Sequence, residues 1–408
     1  MALNLLRNSR VFFTTNLDSS GNVALSGHTT ATTRELQVLD GFSFSQNTGQ
    51  ETVTTNEAGI APIRGQRSFN TSLEPVDWSF STYIRPKYYE GATTTAGPDT
   101  DDEIVAEESV LWGAMSSVTG NGWTPTYGVA SPAAQPYSTV SFGNSNKHQL
   151  QAFGLIIQFE AVTYVINNCA IDSATIDFGL DAIAMIAWAG KGTTMKQLAS
   201  NLVIPTSGVG VTGGGFTTTA PATNDFKIKD TTARFIANKL STMTLASAVH
   251  GGITSSTPYT IALTGGNITV SNNLTYLTPA NLGVVNTPIT YFTGTRSVTA
   301  TITAYLKTGT DPVTSNKQGA GLLDDLLTAS TSTENKFSTV ISVGGATNGT
   351  RIDLSMPTVQ LTIPTVTSEQ IISTSIGMTA QGSSTGAAGG AYDLEKTNEL
   401  EVKYYAVQ

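Results

Sequence analysis

The sequence predicts a mostly β protein made of two tandem copies of one unit, each a sandwich or curved barrel flanked by one short helix. Three observations carry that prediction. The composition is rich in turn formers and poor in charge, apolar and polar residues alternate along the chain, and motifs recur in the same order in both halves.

The chain has 408 residues, more than one hydrophobic core usually organises, so two domains are expected. Charged residues make up 12% of it, about half the usual share, and glycine alone accounts for 39 residues. Disordered chains pair high net charge with few aromatic residues. Here 4 Trp, 13 Tyr and 15 Phe are spread along the sequence, which favours a folded chain with many turns.

Alternation fixes the faces of the strands. Residues 78–85 read WSFSTYIR and residues 300–307 read ATITAYLK. Trp78, Phe80 and Ile84 fall on one parity, as do Ile302, Ala304 and Leu306, while Tyr83 and Arg85 share the other parity with Tyr305 and Lys307. A one-residue slip would reverse the faces, so the two segments agree on which side is buried.

The order recurs as well. Residues 42–47 (FSFSQN) precede the first of these segments and residues 268–273 (ITVSNN) precede the second. A short helix is predicted at 109–117 (SVLWGAMSS) and again at 321–330 (GLLDDLLTAS). Further on, 183–192 (IAMIAWAGKG) matches 373–382 (STSIGMTAQG), aligning Ile186 with Ile376 and Trp188 with Met378. The stretch 206–224, dense in Gly, Thr, Ala and Pro, reads as a linker, giving one domain over 1–205 and a second over 225–408. Residues 91–100 and 119–146 read as loop insertions in the first copy, and 154–178 as a strand hairpin with its turn at Asn167-Asn168.

The charge balance excludes several function classes. A net charge of −9 does not suit a protein that grips nucleic acid, which gathers Lys and Arg to replace phosphate counterions. The single cysteine, Cys169, cannot form an internal disulfide and sits among Val165, Ile166, Ala170 and Ile171 as a small buried hydrophobe. The N-terminal residues place Arg7 and Arg10 after the leucines, unlike a signal peptide, and no stretch approaches the roughly 20 apolar residues that span a bilayer.

Catalytic constellations are not found. His28, His148 and His250 are far apart, show no metal-ligand spacing and read as surface or turn histidines. The acidic run 99–103 (DTDDE) lacks the glycine and distant glutamate of a calcium loop. The glycine-rich run at 209–216 lacks the Lys and Ser/Thr of a phosphate-binding loop. Trp78, Trp112 and Trp188 sit in strand or helix patterns as core candidates, leaving Trp123 for an exposed ring. No catalytic residue, cofactor site or metal site is assigned.

Six segments carry a family resemblance: 3–12 (LNLLRNSRVF), 56–65 (NEAGIAPIRG), 69–86 (FNTSLEPVDWSFSTYIRP), 272–279 (NNLTYLTP), 302–307 (ITAYLK) and 361–366 (LTIPTV). In this order the chain resembles the tail tube proteins of T5-like siphophages. The resemblance implies that each half is a tail-tube domain and that three chains close into a pseudo-sixfold ring with a shared inner β-barrel. Rings would stack into the virion's DNA channel, with an ending at Gln408 that leaves no room for a third, immunoglobulin-like domain. It implies as partners the chain itself, a tape measure protein in the lumen, a tail terminator, distal tail or baseplate proteins and DNA in transit. It implies synthesis in the host cytoplasm, no insertion into a membrane and no catalysis. A tail hub or terminator, and a secreted β-rich carbohydrate-binding adhesin, are the alternatives.

Two expectations about surfaces follow. A lumen that passes DNA should carry more carboxylate and hydroxyl than basic groups, since a basic wall would hold phosphates, and Asp172 and Asp177 are its candidates. The polar face bearing Tyr83, Arg85, Tyr305 and Lys307 is the candidate for contacts between domains or rings.

Overall fold

The computed structural model describes residues 9–28, 32–39, 41–54, 60, 65–90, 103–106, 108–116, 126–128, 137–142, 150–159, 162–198, 227–228, 235–251, 257–329, 335–344, 349–367, 371–382 and 399–406. The fold is mostly β, as the composition predicts. The strands are β1 (Arg10–Thr14), β2 (Thr33–Leu36), β3 (Ser43–Thr54), β4 (Gln66–Tyr83), β5 (Lys87–Glu90), β6 (Glu103–Val105), β7 (Thr126–Gly128), β8 (Tyr137–Ser141), β9 (Phe153–Phe159), β10 (Val162–Gly179), β11 (Met185–Gly192) and β12 (Thr194–Leu198). After the 206–224 segment come β13 (Lys227–Ile228), β14 (Thr242–Gly251), β15 (Tyr259–Ser271), β16 (Leu274–Leu277), β17 (Thr290–Thr293), β18 (Ser297–Tyr305), β19 (Asn335–Val343), β20 (Arg351–Leu361), β21 (Thr365–Thr367), β22 (Ser373–Ala380) and β23 (Glu401–Tyr405). Helices α1 (Ser109–Ser116) and α2 (Gly319–Thr328) stand where the two helices are expected.

Backbone pairing closes a ring of strands in each half. In the first, β2 pairs β1, then β9, β10, β11 and β4 follow. The ring shuts where Val38 bridges Thr82 and the Leu39 N–H donates to the Ser81 carbonyl. In the second, β14, β19, β20, β22, β18 and β15 close directly back on β14. Closure removes edges that would otherwise present unpaired N–H and C=O groups.

The recurring motifs are neighbours in both rings: β4 lies beside β11, and β18 beside β22. Trp188 stands opposite Phe80, whereas Met378 stands opposite Ala300, two residues from the Ile302 that the motif alignment would give. The even offset keeps every side chain on its expected face.

The core follows the alternation. Trp78, Phe80, Trp188, Ile302, Ile376 and Met378 are all buried, and so is the whole of α1. Trp112 of α1 packs edge-on against Trp188 at 4.9 Å, and the Trp188 Nε1–H donates to Thr82 Oγ1 at 3.0 Å. In α2 the buried residues are Leu322 and Leu326, one turn apart, as an amphipathic helix on a sheet requires. Cys169 is fully buried, its thiol raised well above the usual range by burial, as expected of a small core hydrophobe.

Three local expectations are corrected. Asn167-Asn168 is no turn: β9 and β10 reverse between Phe159 and Val162, and the pair forms a bulge inside β10, with the register shifting between Ile166 and Cys169 and Asn168 at φ 45°. The segment 119–146 is not all loop, because β7 and β8 lie within it and β8 pairs along its whole length with β23. His28 is buried rather than on the surface. The linker at 206–224, the insertion at 91–100, Trp123, His148 and the side chain of His250 lie outside the described residues.

Contacts between the halves are extensive. β10 pairs with β15 over seven residues, from Ser173 opposite Ser271 to Gly179 opposite Gly265. The β16–β17 hairpin seats on the β10 bulge, where the Tyr276 hydroxyl lies 2.9 Å from the Asn168 carbonyl and 2.8 Å from that of Lys191. Half-buried Arg296 links the C-terminal segment to the end of α1, donating to Glu399 at 2.7 Å and to the carbonyl of Ser116 at 3.4 Å. No helix among the described residues is long and apolar enough to cross a membrane.

Candidate functional site: a hydroxyl-lined sheet face

One sheet runs through both halves in the order β3, β4, β11, β10, β15, β18, β22, β21, every neighbour antiparallel. Its inner face is the apolar core. Its other face is open, and the registers sort the side chains there into transverse rows.

The first row reads Ser43, Ser79, Ala189, Ser173, Ser271, Ser297 across six strands. The second reads Ser81, Ala187, Thr175, Thr269, Thr299, Thr379. The third reads Tyr83, Met185, Asp177, Asn267, Thr301, Gly377. Small hydroxyl side chains dominate, and neighbours hydrogen-bond along the rows, as at Ser43 with Ser79 (3.0 Å) and Thr175 with Thr269 (3.2 Å). Threonine and serine satisfy one another here without reaching far from the sheet, so the surface stays low and even.

Charge in and beside these three rows is sparse. Lys191 donates to Asp77 at 2.6 Å, neutralising the cation. Asp177 is exposed and stands between Met185 and Asn267. Over the three rows and the flanking Asp77–Lys191 pair, the balance is two carboxylates to one ammonium.

Among the candidates read from sequence, Asp177 lies on this face and Asp172 is engaged elsewhere. The Asp172 carboxylate accepts the Leu274 N–H at 2.7 Å, and its carbonyl accepts Asn272 N–H at 2.7 Å, so it holds the entry to the β16–β17 hairpin. Tyr83 packs edge-on against Phe235 at 5.2 Å. The Arg85 guanidinium lies 5.7 Å from the same ring, and the Arg85 backbone N–H donates to the Glu108 carboxylate at 3.4 Å. Tyr305 is 38% exposed at the end of β18, opposite Ser373, and Lys307 is exposed just beyond, its carbonyl accepting Ala320 N–H at the start of α2. Tyr83 and Tyr305 thus mark the same end of the sheet, but the structure brings neither to the other.

Sequence reading missed the rows themselves and the Asp77–Lys191 pair. Alternation reveals which residues share a face, but which ones stand side by side depends on bulges and turns far apart in sequence. Among the described residues no three His, Cys, Asp or Glu side chains converge as a metal site.

No protein-family model matches the chain. A curated protein does: the tail tube protein pb6 of Escherichia phage T5 is 28% identical over 381 residues, spanning 92% of this chain and 72% of that protein. The chain is a relative of the T5 tail tube protein. At 92% of the chain, the match runs through both halves.

Proposed function

We propose that the chain is a structural subunit of a bacteriophage tail tube, a virion component, and that the hydroxyl-lined face is the wall of its channel. The observation that carries the reading is the run of eight strands, four from each half, in a single sheet with one apolar and one polar face. Three such chains would give about 24 strands. At about 4.8 Å spacing and about 40° tilt these enclose a backbone diameter of roughly 45 to 50 Å, wide enough for a duplex once side chains are added.

The two-domain division at 1–205 and 225–408 belongs to this proposal. Its support is that β1, β3, β4, α1, β9, β10, β11 and β12 have counterparts in β14, β15, β18, α2, β19, β20, β22 and β23, taken in order and with matching neighbours. With two such units per chain, a trimer has six around the axis, and rings stack into a tube.

DNA passing such a wall meets hydroxyls, small side chains, a neutralised lysine and the carboxylate of Asp177. Phosphate retention needs unpaired Lys or Arg, so the wall lets the duplex slide. The tape measure protein, the terminator and the distal tail proteins are the further partners this role entails. The subunit's part is assembly, with no bond-making step assigned to any residue.

Electron microscopy of the purified protein tests the reading directly. Threefold rings or hollow tubes are expected. A monodisperse monomer at high concentration overturns it, and single rings that never stack favour a hub or terminator.

A further inference from the structure

We propose that neighbouring copies join edge to edge, residues 43–47 at the start of β3 in one chain adding as an antiparallel strand to residues 362–367 of the next. The proposal rests on the tube reading above and names the surface through which its rings close.

The chain contains one finished example of this junction. Along its C-terminal half β10 has β11 on one side and β15 on the other. In the second half β20 takes the place of β10, pairing β19 as β10 pairs β9, and it then reaches β22 first directly and then through β21. Thr365 stands opposite Ser375 as Thr175 stands opposite Ala187. Yet on the side where β15 covers β10, β21 has no strand among the described residues.

The complementary edge is β3. It lies beside β4 as β15 lies beside β18, with Ser43 opposite Ser79 as Asn267 is opposite Thr301. The other side of β3, equivalent to the side of β15 that β10 covers, is likewise without a strand among the described residues. One chain therefore carries a completed junction and the two separate halves of another.

Burial points the same way. At the finished junction Ile176 stands opposite Ile268, and both are buried. Val366 sits at the position of Ile176, on the apolar parity with its partner Thr374 buried, but is 48% exposed. Carrying the β10–β15 register across puts Phe44 of the next chain over Val366 and Ser45 opposite Thr365. A strand with an apolar residue left bare on its core face and a free backbone edge is a template for strand addition. The contact is head-to-tail, and repeated with a constant rotation it closes into a ring.

Ser45 and Thr365 are both exposed, so a Ser45→Cys, Thr365→Cys double variant keeps the fold. Directly opposed strand residues have Cα atoms about 4.5 to 5.5 Å apart, within the reach of a disulfide, and the native Cys169 is fully buried and silent. Mild oxidation with oxidised glutathione after assembly is expected to give covalent dimers and a limited closed oligomer on non-reducing gels, with neither single variant linking. A Val366→Lys variant, monitored by an unchanged thermal melt, is expected to lower ring yield at least tenfold. Wild-type rings or tubes together with an unlinked double variant, or with full assembly of Val366→Lys, overturn the edge assignment while leaving the tube reading intact. No rings from the wild-type chain removes both.

Discussion

Thr175 and Thr269 stand opposite each other where the two halves of the chain meet, their Oγ1 atoms 3.2 Å apart on the open face. One residue along, Ile176 and Ile268 are opposite and buried beneath the same strands. A boundary that is hydrogen-bonded above and packed below is the interior of a sheet, and it couples the halves energetically. Ile268→Ala should therefore cost about 2 to 4 kcal/mol and leave one cooperative unfolding transition. Calorimetry showing two separated transitions, with only the later one shifted, would contradict the coupling.

The proposed channel wall makes a prediction about charge. Asp177→Arg replaces the exposed carboxylate by a cation, and Asp77→Asn leaves Lys191 without its counterion. Tubes carrying both changes should retain duplex DNA at low salt and release it steeply as salt rises, because each phosphate contact displaces counterions. Wild-type tubes should retain none under the same conditions. Co-sedimentation of DNA with assembled tubes across a salt series distinguishes the two, and equal retention by both proteins removes the wall assignment.

How much of this was legible in the sequence depends on the range of the interaction. The buried parity of Trp78, Phe80, Ile302 and Ile376, the two helices and the burial of Cys169 follow from local alternation and neighbours, and the structure keeps them. The bulge at Asn167-Asn168 did not, since two asparagines are as good a turn as a bulge until β9 and β12 are seen on either side of β10. Nor did β8, whose five residues become a strand because β23, more than 250 residues later, supplies the ladder. Asp172 looked like a free carboxylate because the backbone N–H it accepts belongs to Leu274, a hundred residues away.

His28 gives a pH prediction. Burial lowers its pKa below the ordinary 6.5, partly offset by the hydrogen bond from Nε2 to the Ala24 carbonyl at 2.8 Å, while Nδ1 lies 2.9 Å from Thr33 Oγ1. The unfolded chain then binds the proton more readily than the folded one. Its contribution to stability is complete above about pH 6.5 and declines as pH falls from there toward the lower folded value. Urea midpoints measured at pH 7.5 and 5 should drop for the wild type and drop less for His28→Gln. An identical decline in both proteins would assign the acid sensitivity to other groups.

Glycine at 190 and glycine at 377 separate two kinds of crowding. A Cβ at Gly190 would lie 2.3 Å from the Ala170 carbonyl oxygen and 2.3 Å from Trp78 Cζ2, one a backbone atom and the other part of a buried ring. Neither can give way without separating β10, β11 and β4 at the centre of the sheet. At Gly377 the nearest atom is Thr362 Oγ1 at 2.8 Å, the end of an exposed side chain that can rotate aside. Gly190→Ala should therefore destabilise by roughly 1 to 3 kcal/mol or more, as overpacking does, whereas Gly377→Ala should be close to neutral. If denaturant midpoints fall equally for both variants, the Trp78 ring is not held against that glycine as the structure places it.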